Sequence, residues 1–190
     1  MNLPNKITLT RLIITPFALG FLFLDIRYNI LISAIFFIFA MLTDVLDGMI
    51  ARRFDMITKL GAFLDPLADK LIILLYFIYL QSAGVYPLWL LLLFVARELL
   101  VDGLRNYSMS QNIYMGAIWS GKLKALFQVS SIVSGLLYLS FDSGQLGEVL
   151  WNYEILLLIA FWLMVVSLLF ALCGTVLHLK KMIPILFHEE

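Results

Sequence analysis

Four aspartates, Asp44, Asp47, Asp65 and Asp69, have the plainest capacity for chemistry in this 190-residue chain. They sit in Asp44-Val45-Leu46-Asp47-Gly48-Met49-Ile50-Ala51-Arg52, then eight residues, then Gly61-Ala62-Phe63-Leu64-Asp65-Pro66-Leu67-Ala68-Asp69. In shorthand the pattern is D-x2-D-G-x2-A-R-x8-G-x3-D-x3-D, flanked on both sides by apolar residues. Carboxylates gathered at the edge of such a protein repel one another and are costly unless a cation neutralises them. Pairing of Asp44 or Asp47 with Arg52 or Arg53, and of Asp69 with Lys70, accounts for one or two of the four. A divalent ion accounts for all of them. Hard carboxylate oxygens suit Mg²⁺, Mn²⁺ or Ca²⁺, and without His or Cys close by the set is a poor one for zinc.

The elements that must position these acids are helices. At about 100° per residue, Asp44, Asp47, Gly48 and Ala51 fall on one helical face. Gly61, Asp65 and Asp69 form a similar stripe on the next helix. A short connection makes the two antiparallel neighbours, so the stripes can face each other. The glycines leave room for a backbone or a ligand to come close. Pro66 is placed to bend its helix and free a carbonyl.

Those helices belong in a bilayer. Hydrophobic residues make up 63% of the chain, more apolar surface than a soluble domain of this length buries. Apolar segments run at about 7–25, 30–53, 58–81, 86–108, 118–140 and 150–179, each near or above the roughly 20 residues a membrane-crossing helix needs. The expectation is one all-α integral membrane domain over residues 1–190, with six spans. No cleavable signal peptide is evident, since the first apolar stretch is far longer than a signal core and lacks a small-residue cleavage site. With six spans, Lys6, Arg11, Arg52, Arg53, Lys59, Lys70, Arg97, Arg105, Lys122, Lys124, Lys180 and Lys181 lie in or towards one side, and Arg27 on the other. That bias puts both termini and the acidic motif at the cytoplasmic face of the inner membrane. Nothing in the charge pattern calls for a nucleic-acid partner. The single Cys173 excludes a disulfide framework and reads as a small buried hydrophobe.

The complete acidic pattern resembles the signature of the CDP-alcohol phosphatidyltransferases, matching it at every fixed position. The resemblance implies a six-helix membrane enzyme, usually a homodimer, in which an alcohol attacks the pyrophosphate of a CDP-linked lipid such as CDP-diacylglycerol and CMP leaves. Carried over, it makes Asp44, Asp47 and Asp65 metal ligands, and Asp69 the general base, also in reach of a second ion. Gly48, Ala51 and Arg52, with Asp47 and Gly61, would frame the CDP-lipid. The cofactor implied is Mg²⁺ or Mn²⁺, as two ions. The chemistry agrees: a pyrophosphate needs charge neutralisation, two ions clamp attacking and leaving oxygens, and a carboxylate assists the hydroxyl.

Further along, Ala96-Arg97-Glu98-Leu99-Leu100-Val101 with Gly103-Leu104-Arg105, and Trp119-x-Gly121-Lys122-Leu123-Lys124, resemble members of that family whose acceptor is glycerol 3-phosphate. A dianionic acceptor needs several cations, and Arg97, Arg105, Lys122 and Lys124 are the candidates, with Glu98 orienting an arginine. Ala125, where those members commonly carry Thr, and the stretch from Asn112 to Ile118 depart from their pattern. Inositol phosphate and phosphatidylglycerol are alternative acceptors within the same chemistry. A cation channel using the acids as a translocation site is the reading from a different class.

Overall fold

The structure is a computed structural model that describes residues 14–53, 59–110, 119–147 and 152–186. Side chains at 44–53, 59–66, 109–110, 178 and 181–186 fall outside that description. Among the described residues the regular elements are all helices, joined by turns, with no strand: α1 (14–22), α2 (Asn29–Arg53), α3 (Lys59–Ser82), α4 (Leu88–Ser110), α5 (Trp119–Asp142) and α6 (Glu154–Leu186). α2 to α5 follow the expected apolar segments to within about two residues at each end. Of the first segment, 7–13 lies outside the described residues and the helix stops at 22, short of 25. α6 starts at Glu154 and continues past 179, through Lys180, to Leu186. Lysine favours the helical state nearly as well as alanine, so the end of the apolar run does not by itself end the helix.

Among the described residues two helices, over Trp119–Asp142 and Glu154–Leu177, are long and apolar enough to cross a bilayer by length and composition. The part of α2 whose side chains are described, Asn29–Thr43, is a shorter apolar stretch. α3 carries Asp65, Asp69 and Lys70, and α4 carries Arg97, Glu98, Asp102 and Arg105. These charges set α3 and α4 apart from plain membrane anchors. The outward residues are apolar nonetheless. Phe17, Phe39, Leu92, Leu99, Leu126 and Leu169 are among many large exposed hydrophobic side chains, as expected where the solvent is lipid. Cys173 shares that outward position with Leu172 and Val176. The expectation that it is buried was wrong, because in a bilayer a small apolar thiol gains nothing by facing inward.

The core runs along the bundle axis through Phe37, Ile72, Tyr76, Phe77, Leu80, Leu90, Ile132, Leu136 and Met164, all fully buried. α5 and α6 form the most extensive pair. α5 also packs on α2 and α3, while α4 packs on α3 and α6. Gly135 makes the α3–α5 approach possible: a Cβ there would lie 3.2 Å from both methyl carbons of Leu80 and 3.3 Å from Val85. Most polar groups in the core are satisfied internally, as hydrocarbon requires; among the described residues Gln128 Nε2 and Ser167 Oγ are buried exceptions. The Ser131 hydroxyl donates to the Ala160 carbonyl at 2.6 Å, and the Tyr86 hydroxyl lies 2.7 Å from Ser131 Oγ and 3.0 Å from its carbonyl.

One end of the bundle is fastened by its turns. α3 ends with Val85 N–H bonded to the Leu80 carbonyl at 2.9 Å, and α5 with Gln145 N–H bonded to Ser140 at 2.9 Å. Each wrap needs a left-handed residue, supplied by Gly84 at φ 81° and Gly144 at φ 72°. Asn29 then ties three segments together. Its amide donates to the Leu24 carbonyl at 2.8 Å and accepts from Gln145 at 2.6 Å, while Gln145 accepts the Leu31 N–H at 3.3 Å. The start of α2 is thereby capped from the α5–α6 turn.

α2 and α3 touch at Tyr76, whose ring packs 4.6 Å from that of Phe37 and whose hydroxyl lies 2.9 Å from Ser33 Oγ. Both helices rise about 1.5 Å per residue and run in opposite directions. Counting equal steps from that contact brings position 44 level with positions 65 to 69. The acidic pattern therefore lies at one depth, at the end of the bundle away from the fastened turns.

Candidate functional site

Two connected cavities occupy the acidic end. The larger is a groove of about 740 Å³ between α3, α4 and α5, walled by Leu67, Leu71, Leu74, Val95, Leu99, Leu126 and Val129 and reaching Met41 and Leu42 of α2. Several of its walls face outward, Leu99 being 67% exposed, so the groove opens sideways. Asp69 stands on its lining. The smaller is a polar chamber of about 190 Å³ bounded by Lys70, Arg97, Glu98, Val101, Asp102, Arg105, Ser120, Gly121, Lys124 and Gly174. Lys70, Glu98, Asp102 and Lys124 line both cavities and form the partition between them.

Helical spacing explains the chamber. Arg97, Val101 and Arg105 recur at i, i+4 and i+8 on α4, and Glu98 and Asp102 form a second i, i+4 row beside them. Arg97 is 8% exposed, and each nitrogen of its guanidinium is hydrogen-bonded, two of them to α6. Nε donates to the Ala171 carbonyl at 3.1 Å and to Thr175 Oγ1 at 3.0 Å, and Nη2 donates to the same carbonyl at 2.7 Å. Nη1 donates to Glu98 at 2.8 Å. Glu98 Oε1 also accepts from Lys124, so one carboxylate joins a cation of α4 to one of α5. Gly174 permits this closeness: a Cβ there would sit 2.8 Å from Ser120 Oγ and 3.6 Å from Arg97 Nη2.

Arg105 differs. Its Nε is buried without a hydrogen-bond partner. A buried charged donor left unsatisfied costs more than a bond gains, so its presence asks for an acceptor from outside the protein. The chamber's charge asks for the same thing. Lys70, Arg97, Arg105 and Lys124 face two carboxylates, Glu98 and Asp102, leaving a formal surplus of +2.

Of the expected anion-binding residues, Arg97, Arg105 and Lys124 come together in the chamber. Lys122 does not: it is exposed, lines the groove, and holds its ammonium 5.9 Å from the Trp119 ring. Lys122 and Lys124 are two positions apart, about 200° around a helix, so Lys124 alone of the two reaches the chamber. Lys70 and Asp102 are members that sequence reasoning missed. Lys70 was paired with its neighbour Asp69; it bonds instead to Asp102 of α4. The i, i+4 spacing of Glu98 and Asp102 was the signal available for the second.

The acidic signature is only partly described. Asp44, Asp47, Gly48, Ala51 and Arg52 lie on α2, and Gly61 and Asp65 on α3, but their side chains fall outside the described residues. Among the described residues no three acids, histidines or cysteines come together to hold an ion. Asp69 is the member of the set whose side chain is described.

The family profile of the CDP-alcohol phosphatidyltransferases matches residues 1–176. The chain belongs to the CDP-alcohol phosphatidyltransferase family. Three relatives carry the name CDP-diacylglycerol–glycerol-3-phosphate 3-phosphatidyltransferase. The Bacillus subtilis (strain 168) protein is 36% identical over 149 residues, covering 72% of this chain and 77% of its own length. That of Yersinia pestis (strain Pestoides F) is 32% identical over 169 residues, 86% of this chain and 91% of its own. That of Mycoplasma genitalium is 31% identical over 136 residues, 72% of this chain and 58% of its own. A CDP-alcohol phosphatidyltransferase needs a place for lipid beside a place for polar reactants. The sideways-opening groove and the adjoining chamber have those two characters. Membership of this family of membrane enzymes, together with apolar α5 and α6, makes the chain a membrane protein.

Proposed function

We propose that this protein transfers the phosphatidyl group of CDP-diacylglycerol to sn-glycerol 3-phosphate, yielding phosphatidylglycerophosphate and CMP. The observation that carries the acceptor is the chamber, whose +2 surplus and unsatisfied Arg105 Nε match a phosphate dianion. The relatives' shared name supports the same reaction.

In this reading the donor's acyl chains lie in the groove along Leu71, Leu99 and Leu126, and its head group reaches the acidic end. Asp44, Asp47 and Asp65, with Asp69, would hold Mg²⁺ or Mn²⁺. An all-carboxylate donor set fits these hard ions, and Asp69, the described member, lines the groove where a pyrophosphate would enter. When bound, the ions neutralise the pyrophosphate. Asp47, Gly48, Ala51, Arg52 and Gly61 frame the nucleotide. Arg105 and Lys124 grip the acceptor phosphate, and Arg97 fixes the wall behind them through α6. Asp69 takes the proton from the acceptor hydroxyl as its oxygen bonds to the phosphatidyl phosphorus. The bond from that phosphorus to the CMP oxygen breaks, and CMP leaves with the electron pair.

The wider arrangement belongs to the same proposal: six spans over a single domain, both termini and the site at the cytoplasmic face, and a homodimer. The one-sided distribution of cations supports the orientation, and the family resemblance supports the homodimer. The test uses purified protein in lipid nanodiscs with CDP-diacylglycerol, glycerol 3-phosphate and Mg²⁺ or Mn²⁺. CMP release is expected, with glycerol 3-phosphate outcompeting inositol phosphate and phosphatidylglycerol. No CMP release with any alcohol would overturn the reading.

A further inference from the structure

The partition between groove and chamber consists of two ion pairs with different fastenings. Lys124–Glu98 is nearly enclosed, its side chains 14% and 13% exposed, and Arg97 anchors it to α6. Lys70–Asp102 is looser: each side chain is 35% exposed, and the pair bridges α3 and α4 by a single bond. Asp102 is also the anomaly of the chamber. A site that collects four cations for a dianion gains nothing from a second acid, unless that acid occupies a cation until the anion arrives. Glu98 has a structural task, since two cations share it. Among the described residues Asp102 bonds to Lys70 alone, and Lys70 directly follows Asp69.

We propose that Asp102 is a placeholder and Lys70 an exchanging phosphate ligand. In the empty chamber Lys70 pairs with Asp102; with acceptor bound it transfers its hydrogen bond to the incoming phosphate, beside Arg105. This rests on the chamber being the acceptor site, as proposed above. Its consequence is specificity. A neutral or singly charged acceptor has to displace a carboxylate with a weaker partner for Lys70, whereas a dianion displaces it with a stronger one. Asp102 thus acts against acceptors lacking a phosphate, and it restrains the affinity of those that have one. Lys70 also follows Asp69 in sequence, so exchange keeps the acceptor phosphate at the depth of the base. Lys70 is a binding residue in this scheme and Asp102 a positioning one, acting through Lys70.

A double-mutant cycle with the full chain in nanodiscs tests the exchange, using Asp102→Asn and Lys70→Met, which preserve shape and stem. Two readouts are taken: the dissociation constant of inorganic phosphate, and the KM values for glycerol 3-phosphate and for donor. Asp102→Asn should tighten phosphate and lower the acceptor KM by about threefold to fivefold, the scale of a half-exposed ion pair. It should move the donor KM less. Lys70→Met should weaken phosphate by about tenfold, the scale of a lost charge-assisted bond. On the Lys70→Met background, Asp102→Asn should have no effect on phosphate. Weaker phosphate binding in Asp102→Asn, or an equal effect with and without Lys70, overturns the exchange. The phosphate titration is independent of turnover. The predicted pattern there supports the exchange even if wild-type protein releases no CMP, a result that counts against the transferase reading instead.

Discussion

Arg97 and Arg105, two turns apart on one helix, should respond to removal in opposite ways. Arg97→Met deletes a guanidinium that makes four hydrogen bonds at 2.7–3.1 Å, three of them to α6. The Ala171 carbonyl keeps the Thr175 hydroxyl at 2.9 Å beside its helical backbone bond, and Glu98 keeps only Lys124 among its bonds to cations. Breaking one side of a buried charged network costs about 3–5 kcal/mol. For a chain of this size that corresponds to a fall in Tm of roughly 10 °C. Arg105→Met removes a buried Nε that has no partner, and thins a crowd of like charges. Its Tm should hold or rise by a degree or two, while the KM for glycerol 3-phosphate climbs about tenfold or more and the donor KM moves far less. Thermal unfolding in one detergent, followed by acceptor titrations on the same preparations, reads both quantities. Equal destabilisation by the two substitutions would refute the division of labour. So would an Arg105→Met enzyme whose acceptor KM is unchanged.

Asp69→Asn should retain CDP-diacylglycerol binding, measured by nucleotide displacement, yet lose turnover by a factor of at least 10², the usual scale of a missing general base; loss of donor binding as severe as in Asp44→Asn would count against the assigned role. Chelation with EDTA should stop CMP release, and Mg²⁺ or Mn²⁺ should restore it where Zn²⁺ does not; activity that survives exhaustive chelation argues against an ion held by the acids. Gln145→Ala removes the acceptor for Leu31 N–H and the donor to Asn29, and should lower Tm by about 2–4 °C, on the scale of one capping interaction, with KM values unchanged. Lys122→Ala should leave the acceptor KM within about twofold, because its ammonium sits over Trp119 outside the chamber and an exposed cation–π contact is weak.

The sequence disclosed the helices because apolar runs and their breaks map directly onto chain direction. The turns at Gly84 and Gly144 fell inside the expected breaks. Helical spacing is likewise a local rule, and the Tyr76 contact carries it across two helices: antiparallel helices with equal rise keep positions 44 and 65 to 69 at one depth. The sequence was less informative wherever a side chain's partner lies far along the chain. The acceptor for Arg97 is a backbone carbonyl 74 residues away, and a carbonyl has no sequence signal. Lys70 was paired with the acid beside it, although adjacent residues on a helix point about 100° apart. Its actual partner is 32 residues on. The orientation of Cys173 was misread through a rule from water-soluble proteins, in which the interior is the only apolar place.

The sideways opening of the groove sets the units in which this protein experiences its lipid. A molecule arriving past Leu99 and Leu126 comes from the plane of the leaflet, so its relevant abundance is a mole fraction among neighbouring lipids and not an amount per volume. Diluting CDP-diacylglycerol with inert phospholipid, at constant total donor in the tube, should therefore slow the reaction. Adding more vesicles of the same composition should leave the rate per enzyme unchanged. Glycerol 3-phosphate, arriving at the other cavity, answers to molarity alone. One partition of four side chains is thus the place where a two-dimensional supply meets a three-dimensional one.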